Sequence, residues 1–157
     1  MLKILRTPLL ALVVVVGGLA GTALATPSVG FNPTLLARAT LEEPVHINTG
    51  DIRFRAKTPV DFTHQRLDLA PGSSSGWHTH PGVVLITIKS GAVVRYHADC
   101  SSDVYRADDA FTESGDHAGL VRNLSATEPV VAFLTYITPV GSALRFDAPN
   151  PGCASLN

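Results

Sequence analysis

Charge is scarce in this chain, and neither sign dominates. Only 16% of its 157 residues are charged, with 12 Lys and Arg against 13 Asp and Glu. A balance near zero gives no electrostatic grip on nucleic acid or on an anionic membrane surface. Aromatic residues are few, at 6%, with one Trp and one Met. Two cysteines are present, Cys100 and Cys153, and neither lies in a C-x-x-C pair. No G-x-S-x-G elbow supplies a nucleophilic serine, and no G-x-x-x-x-G-K loop would cradle a phosphate. Long amphipathic helical patterns, internal repeats and a second domain are also missing.

The one long apolar run lies at the N-terminus. Lys3 and Arg6 precede the apolar stretch Leu9 to Val16, and Ala23-Leu24-Ala25 is a small-x-small cleavage site. Residues 1–25 are therefore expected to be a secretory signal peptide, cut between Ala25 and Thr26. The apolar block is short and broken by Gly17, Gly18 and Gly21, which argues against a membrane anchor. No cysteine at the cut offers a lipid attachment point. The mature chain from Thr26 loses Lys3 and Arg6, leaving ten basic against thirteen acidic residues, about −3. Its length suits one domain with a real core. An exported chain meets oxidising surroundings, so Cys100 and Cys153 are expected to pair as a disulfide. Thiolate metal ligation is the alternative.

Strand signals dominate the rest. Residues 26–59 form an entry arm with the first strands, including a short helical turn over Leu35 to Ala39. A barrel is predicted over 60–140, and residues 141–157 hold an edge strand and a Pro-rich tail. Val60 to Leu69 alternates, placing Gln65, Leu67 and Leu69 on one face and His64 and Arg66 on the other. Val83 to Lys89 is apolar on both faces, which predicts a strand buried on both sides. After the Ser90-Gly91 turn, Ala92 to His97 is expected to return as its partner. About eight or more short strands without a long helix predict an all-β sandwich or barrel.

The chemistry concentrates after the turn that ends the strand from Val60. Gly76-Trp77-His78-Thr79-His80-Pro81-Gly82 carries two histidines two apart, so in a strand both imidazoles face one side. Neutral imidazole is a common metal ligand. Trp77 has the opposite parity, so its ring is expected to pack away from that face. His46, His64 and His97 are expected at the surface.

Gly72, five residues, His78-Thr79-His80, three residues, Val84, six residues and Gly91 resemble the first motif of the cupin superfamily. That motif carries a glutamate where Val84 stands. Gly115 to Asn123 resembles the second motif, which ends in H-x-x-x-N, with Gly119 at the histidine position. The Asn123-Leu124-Ser125 sequon is assigned to chance, because Asn123 belongs to that motif. The chain is most similar to small, exported, single-domain cupins. The resemblance implies a jelly-roll barrel, and a site where the family usually holds Fe, Mn, Ni, Cu or Zn on three histidines and one glutamate.

With both motif ligands replaced, the remaining candidates are His78, His80 and His117. His117 shares the parity of Gly119 and lies about 7 Å from it along an extended chain. Gln65, Val84, Gly119 and Val121 are expected to line the pocket. Glu113, four residues before His117, is either a substitute ligand, an outer partner of a ligand, or a solvated loop residue. The alternative is that the two histidines are hydrogen-bonded pocket residues of a barrel without metal. Three function classes remain open: a small-molecule-binding protein, a metal-dependent oxygenase or isomerase acting on a small organic substrate, and a structural exported domain with a vestigial pocket. A homodimer is expected by analogy alone.

Overall fold

The structure, a computed structural model, describes residues 25–154 and 156. Apart from Ala25, the expected signal segment lies outside the described residues. Among the described residues there are twelve strands and no helix. They are β1 (Val29–Leu41), β2 (Val45–Asn48), β3 (Arg53–Ala56), β4 (Val60–Ser74), β5 (His78–Thr79) and β6 (Val83–Ser90). Then follow β7 (Ala92–His97), β8 (Ser102–Arg106), β9 (Ala110–Ser114), β10 (Gly119–Arg122), β11 (Val130–Pro139) and β12 (Phe146–Asp147).

Every ladder is antiparallel. One leaf runs β1-β4-β11-β6-β9, and the other runs β12-β5-β10-β7-β8. The leaves join where Ser74 at the end of β4 pairs with Arg122 of β10. The result is a nearly closed jelly-roll barrel, as the strand pattern predicts. β2 and β3 form a separate hairpin. Its Phe54 meets Phe62 of β4 edge to face at 6.1 Å.

Strand periodicity fills the barrel. Leu69 of β4, Ile86 and Ile88 of β6, Val93 of β7, and Ala132 and Leu134 of β11 come from both leaves and form one buried cluster. Burying a side chain of this kind contributes about 1.5–3 kcal/mol. The alternation expected along β4 holds: Thr63 and Leu69 are buried, whereas His64 and Arg66 are exposed.

Three local expectations fail for identifiable reasons. Leu35 to Ala39 lies inside β1 and is no helical turn, because β4 offers a ladder along nearly the whole segment. β6 is buried on one face only: Val84, Ile86 and Ile88 point in, while Val83 and Leu85 are 40% and 45% exposed. β7 does not pair with β6. The Ser90-Gly91 turn instead passes the chain from one leaf to the other, where β7 pairs with β8 and β10.

The C-terminal segment is strapped across the strand that bears the histidines. β12 pairs with β5, and Ala148 N donates to Trp77 O at 2.8 Å. Trp77 is fully buried on the far side of that strand against Leu120 and Cys153, and its Nε1 donates to Leu156 O at 3.2 Å. The Cys100–Cys153 disulfide fixes the strap to the β7–β8 turn. The expected disulfide is therefore present.

Candidate metal centre

His78 and His80 leave a segment whose backbone is tightly enclosed. A side chain at Gly76 would place its Cβ 2.0 Å from Thr26 O, so only glycine lets the N-terminal segment cross there. The same residue accepts from His78: Nδ1–H donates to Gly76 O at 2.9 Å. His80 Nδ1–H donates to Leu144 O of the strap at 2.8 Å. A carbonyl only accepts, so both Nδ1 atoms must carry the proton. Each Nε2 is left facing inward, and outer hydrogen bonds of this kind fix the tautomer and orientation of metal-binding histidines.

Both inward nitrogens converge on one carboxylate. His80 Nε2 lies 3.1 Å from Glu113 Oε2, and His78 Nε2 lies 3.6 Å from it. The two rings sit edge to face, 4.9 Å between centroids. His78, His80 and Glu113 are 6%, 7% and 8% exposed. One ligand atom from each lies within 4.8 Å of the others. Neutral imidazole lone pairs aimed at a carboxylate would repel it. The arrangement is stable only with positive charge between these atoms, supplied by protons on Nε2 or by a metal ion. The donor set of two imidazoles and a carboxylate suits a divalent transition metal.

Glu113 is held well below the usual carboxylate range. Burial alone pushes it up and is the largest single influence, but the two imidazoles facing Oε2 together outweigh it. Its Oε1 lies 3.3 Å from Arg95 Nε, yet neither atom has a hydrogen-bond partner. That contact is coulombic. Arg95 also lies over the Phe111 ring at 5.5 Å. Tyr136, whose ring is 5.9 Å from that of His80, is pushed up to about 12 by burial and by the Glu113 charge.

The third member is therefore Glu113 and not His117. His117 is exposed in the turn before β10 and lies outside the cluster. Inward-facing positions begin only at Gly119, and a two-residue offset along the chain is too far for the imidazole to close. Glu113 is no solvated loop residue; it lies in β9, two residues from Phe111, and both point into the barrel. Val84 is completely buried in the core and stands directly across the β6–β9 ladder from Glu113. Gly119 has its absent Cβ 3.2 Å from Glu113 Oε1. A histidine there would compete for the space the carboxylate uses.

Above this cluster opens a cavity of about 220 Å³. Gln65 and Val121 line it, and Val84 and Gly119 do not. His64 is exposed and bonded to Thr135, His97 pairs with Asp103 at 2.8 Å, and His46 is exposed in β2. Asn123 is 1% exposed, and its amide donates to Ala70 O and Glu128 O, a structural role that leaves the side chain inaccessible.

No family model matches the chain, and no curated protein matches it. Among solved structures, the barrel is similar to a cupin-like protein from Thermotoga maritima. The two are 15% identical with a TM-score of 0.50, over 57% of this chain and 65% of that one. It is also similar to a conserved Klebsiella pneumoniae protein with a double-stranded β-helix domain, at 18% identity and a TM-score of 0.48, over 55% and 74% of the two chains. An oxalate oxidase in complex with glycolate aligns at 20% identity and a TM-score of 0.42, over 52% and 49%. This chain thus spans just under two thirds of the Thermotoga protein's length. Together with the strand order, that likeness shows that the chain has the fold of the cupin superfamily.

Proposed function

We propose that this protein binds a small organic molecule inside the barrel at a divalent metal ion held by His78, His80 and Glu113. One observation carries the reading: two Nε2 atoms, each oriented by a backbone carbonyl, converge on a buried carboxylate in the wall of a mostly apolar cavity. The ion would be zinc, iron, manganese, nickel or copper, and when bound it would act as a Lewis acid toward an oxygen of the ligand. The protein's own residues orient the imidazoles, keep bulk water out and hold Tyr136 as a neutral O–H donor beside the site.

A metal-dependent oxygenase or isomerase is the second reading. It is favoured by the ligand count, since three protein ligands leave positions for water or substrate. We further propose that the chain is exported. The Cys100–Cys153 disulfide is compatible with an extracellular protein. Among the described residues no helix is long and apolar enough to cross a membrane.

Elemental analysis of the purified protein tests the metal assignment. The expected result is about one transition-metal ion per chain, lost in the His78→Ala/His80→Ala double variant. A folded wild-type protein that takes up no metal from a mixture of the five ions overturns it.

A further inference from the structure

The chemistry of the cavity wall narrows the ligand. Leu69, Ile86, Ile88, Val93, Phe111 and Leu134 make most of the surface apolar, and few polar side chains besides His78, His80 and Glu113 line it, Gln65 among them. An apolar cavity of about 150 Å³ is known to admit benzene. The 220 Å³ here leaves room for a body of about ten non-hydrogen atoms. Hydroxyl or carboxyl groups spread along that body would find few partners on the wall, and each one buried unpaired weakens binding.

Charge narrows it further. Glu113 is offset by Arg95, whose Nε lies 3.3 Å away, and both imidazoles are neutral when their Nε2 atoms bind an ion. Arg145, the cation that lines the cavity, is paired with Asp147 at 2.6 Å. A divalent ion therefore leaves the inner end with two uncompensated positive charges in a poorly solvated space, a costly state unless an anion accompanies it. Tyr136 adds an O–H donor beside His80.

Resting on the metal reading above, we propose that the ligand is a small apolar monocarboxylate. Its carboxylate lies at the metal end, and its hydrocarbon body lies along Phe111 and Leu134. One carboxylate neutralises half of the buried charge. The rest of the molecule replaces water against an apolar wall.

Calorimetric titration of the metal-loaded protein tests this with four probes: 3-phenylpropionate, acetate, succinate and 3-phenylpropan-1-ol. Metal content is measured first. 3-Phenylpropionate is expected to bind at least about tenfold more tightly than acetate, because only it buries a hydrocarbon body. It is also expected to exceed succinate and the alcohol by at least about tenfold, because the wall rejects a second charge and the alcohol brings none. Ala132→Leu, which intrudes on the cavity, narrows the gap between 3-phenylpropionate and acetate; Leu67→Phe does the same should the first variant fold poorly. A metal-loaded barrel that treats acetate and 3-phenylpropionate alike, or the acid and the alcohol alike, overturns this inference alone. A barrel that holds no metal overturns the preceding reading, and with it the place assigned to the carboxylate.

Discussion

Val84 and Glu113 stand directly opposite each other across the β6–β9 ladder, both buried. Residues so paired share one face of a sheet with their Cβ atoms about 5 Å apart. In the proposed metal centre, the carboxylate missing from the first motif comes from one strand over. Gly119, the position that lacks the second motif's histidine, leaves the space that this carboxylate enters. Two departures from the motif and one unexplained glutamate become a single rearrangement.

That relationship predicts a transplant. Glu113→Val should lower metal affinity by more than the roughly 10–100-fold that loss of an outer partner costs. Val84→Glu/Glu113→Val should recover part of it, since the carboxylate returns to the same face from the neighbouring strand. Zinc titration against a chelator measures both.

His117→Ala should leave metal occupancy at the wild-type level. The side chain is exposed and outside the cluster. Metal analysis of this variant beside His80→Ala checks the distinction.

The disulfide should act on both stability and the site. Cys100 and Cys153 are 53 residues apart in sequence. Closing a loop of that length contributes about 4 kcal/mol in the chain-entropy model. Cys100→Ser/Cys153→Ser should lower the denaturation midpoint accordingly. It should also weaken metal binding, because the freed strap includes Leu144, whose carbonyl orients His80. Urea unfolding and metal titration of the reduced and oxidised proteins read the two effects separately.

Asp61 makes stability depend on acid. Its carboxylate accepts from Gly141 N, Arg38 and Thr40, and these bonds, with the Arg38 charge, lower it to about 2 from a normal 3.8. A depressed carboxylate stabilises the fold fully above its unfolded value and loses that contribution as pH falls through its folded one. Stability should therefore decline between about pH 4 and pH 2, and Asp61→Asn should flatten that part of the profile. Thermal unfolding across this range measures it.

Thr63 is 1% exposed, and its hydroxyl has no partner. Thr63→Val removes a buried unsatisfied group at nearly constant shape and should stabilise the protein by about 1 kcal/mol. Calorimetric melting tests this sign.

Much of the fold was legible in the sequence because strand parity is local. The alternation along β4 and the inward pair His78 and His80 follow from period two alone. The strand partners were less accessible. Nothing local distinguishes a hairpin at Ser90-Gly91 from a crossing between leaves, and the apolar outer face of β6 mimics burial on both sides. The sequence leaves Glu113 as one candidate with three roles because a glutamate near Gly115 resembles a solvated turn. A signal was present all the same: Ala110-Phe111-Thr112-Glu113-Ser114 alternates, and Glu113 shares the parity of Phe111. His117 misled because a turn breaks the parity that was extended through it. The β1 segment reads as helical by composition, and β4 overrides that weak preference with a long ladder.

An anomalous-difference map from crystals grown with zinc or manganese tests the metal centre most directly. The account predicts one peak among His78 Nε2, His80 Nε2 and the Glu113 carboxylate, within about 2.0–2.2 Å of each donor for zinc. A peak at His117, or a well-ordered barrel with no peak inside it, would contradict the account.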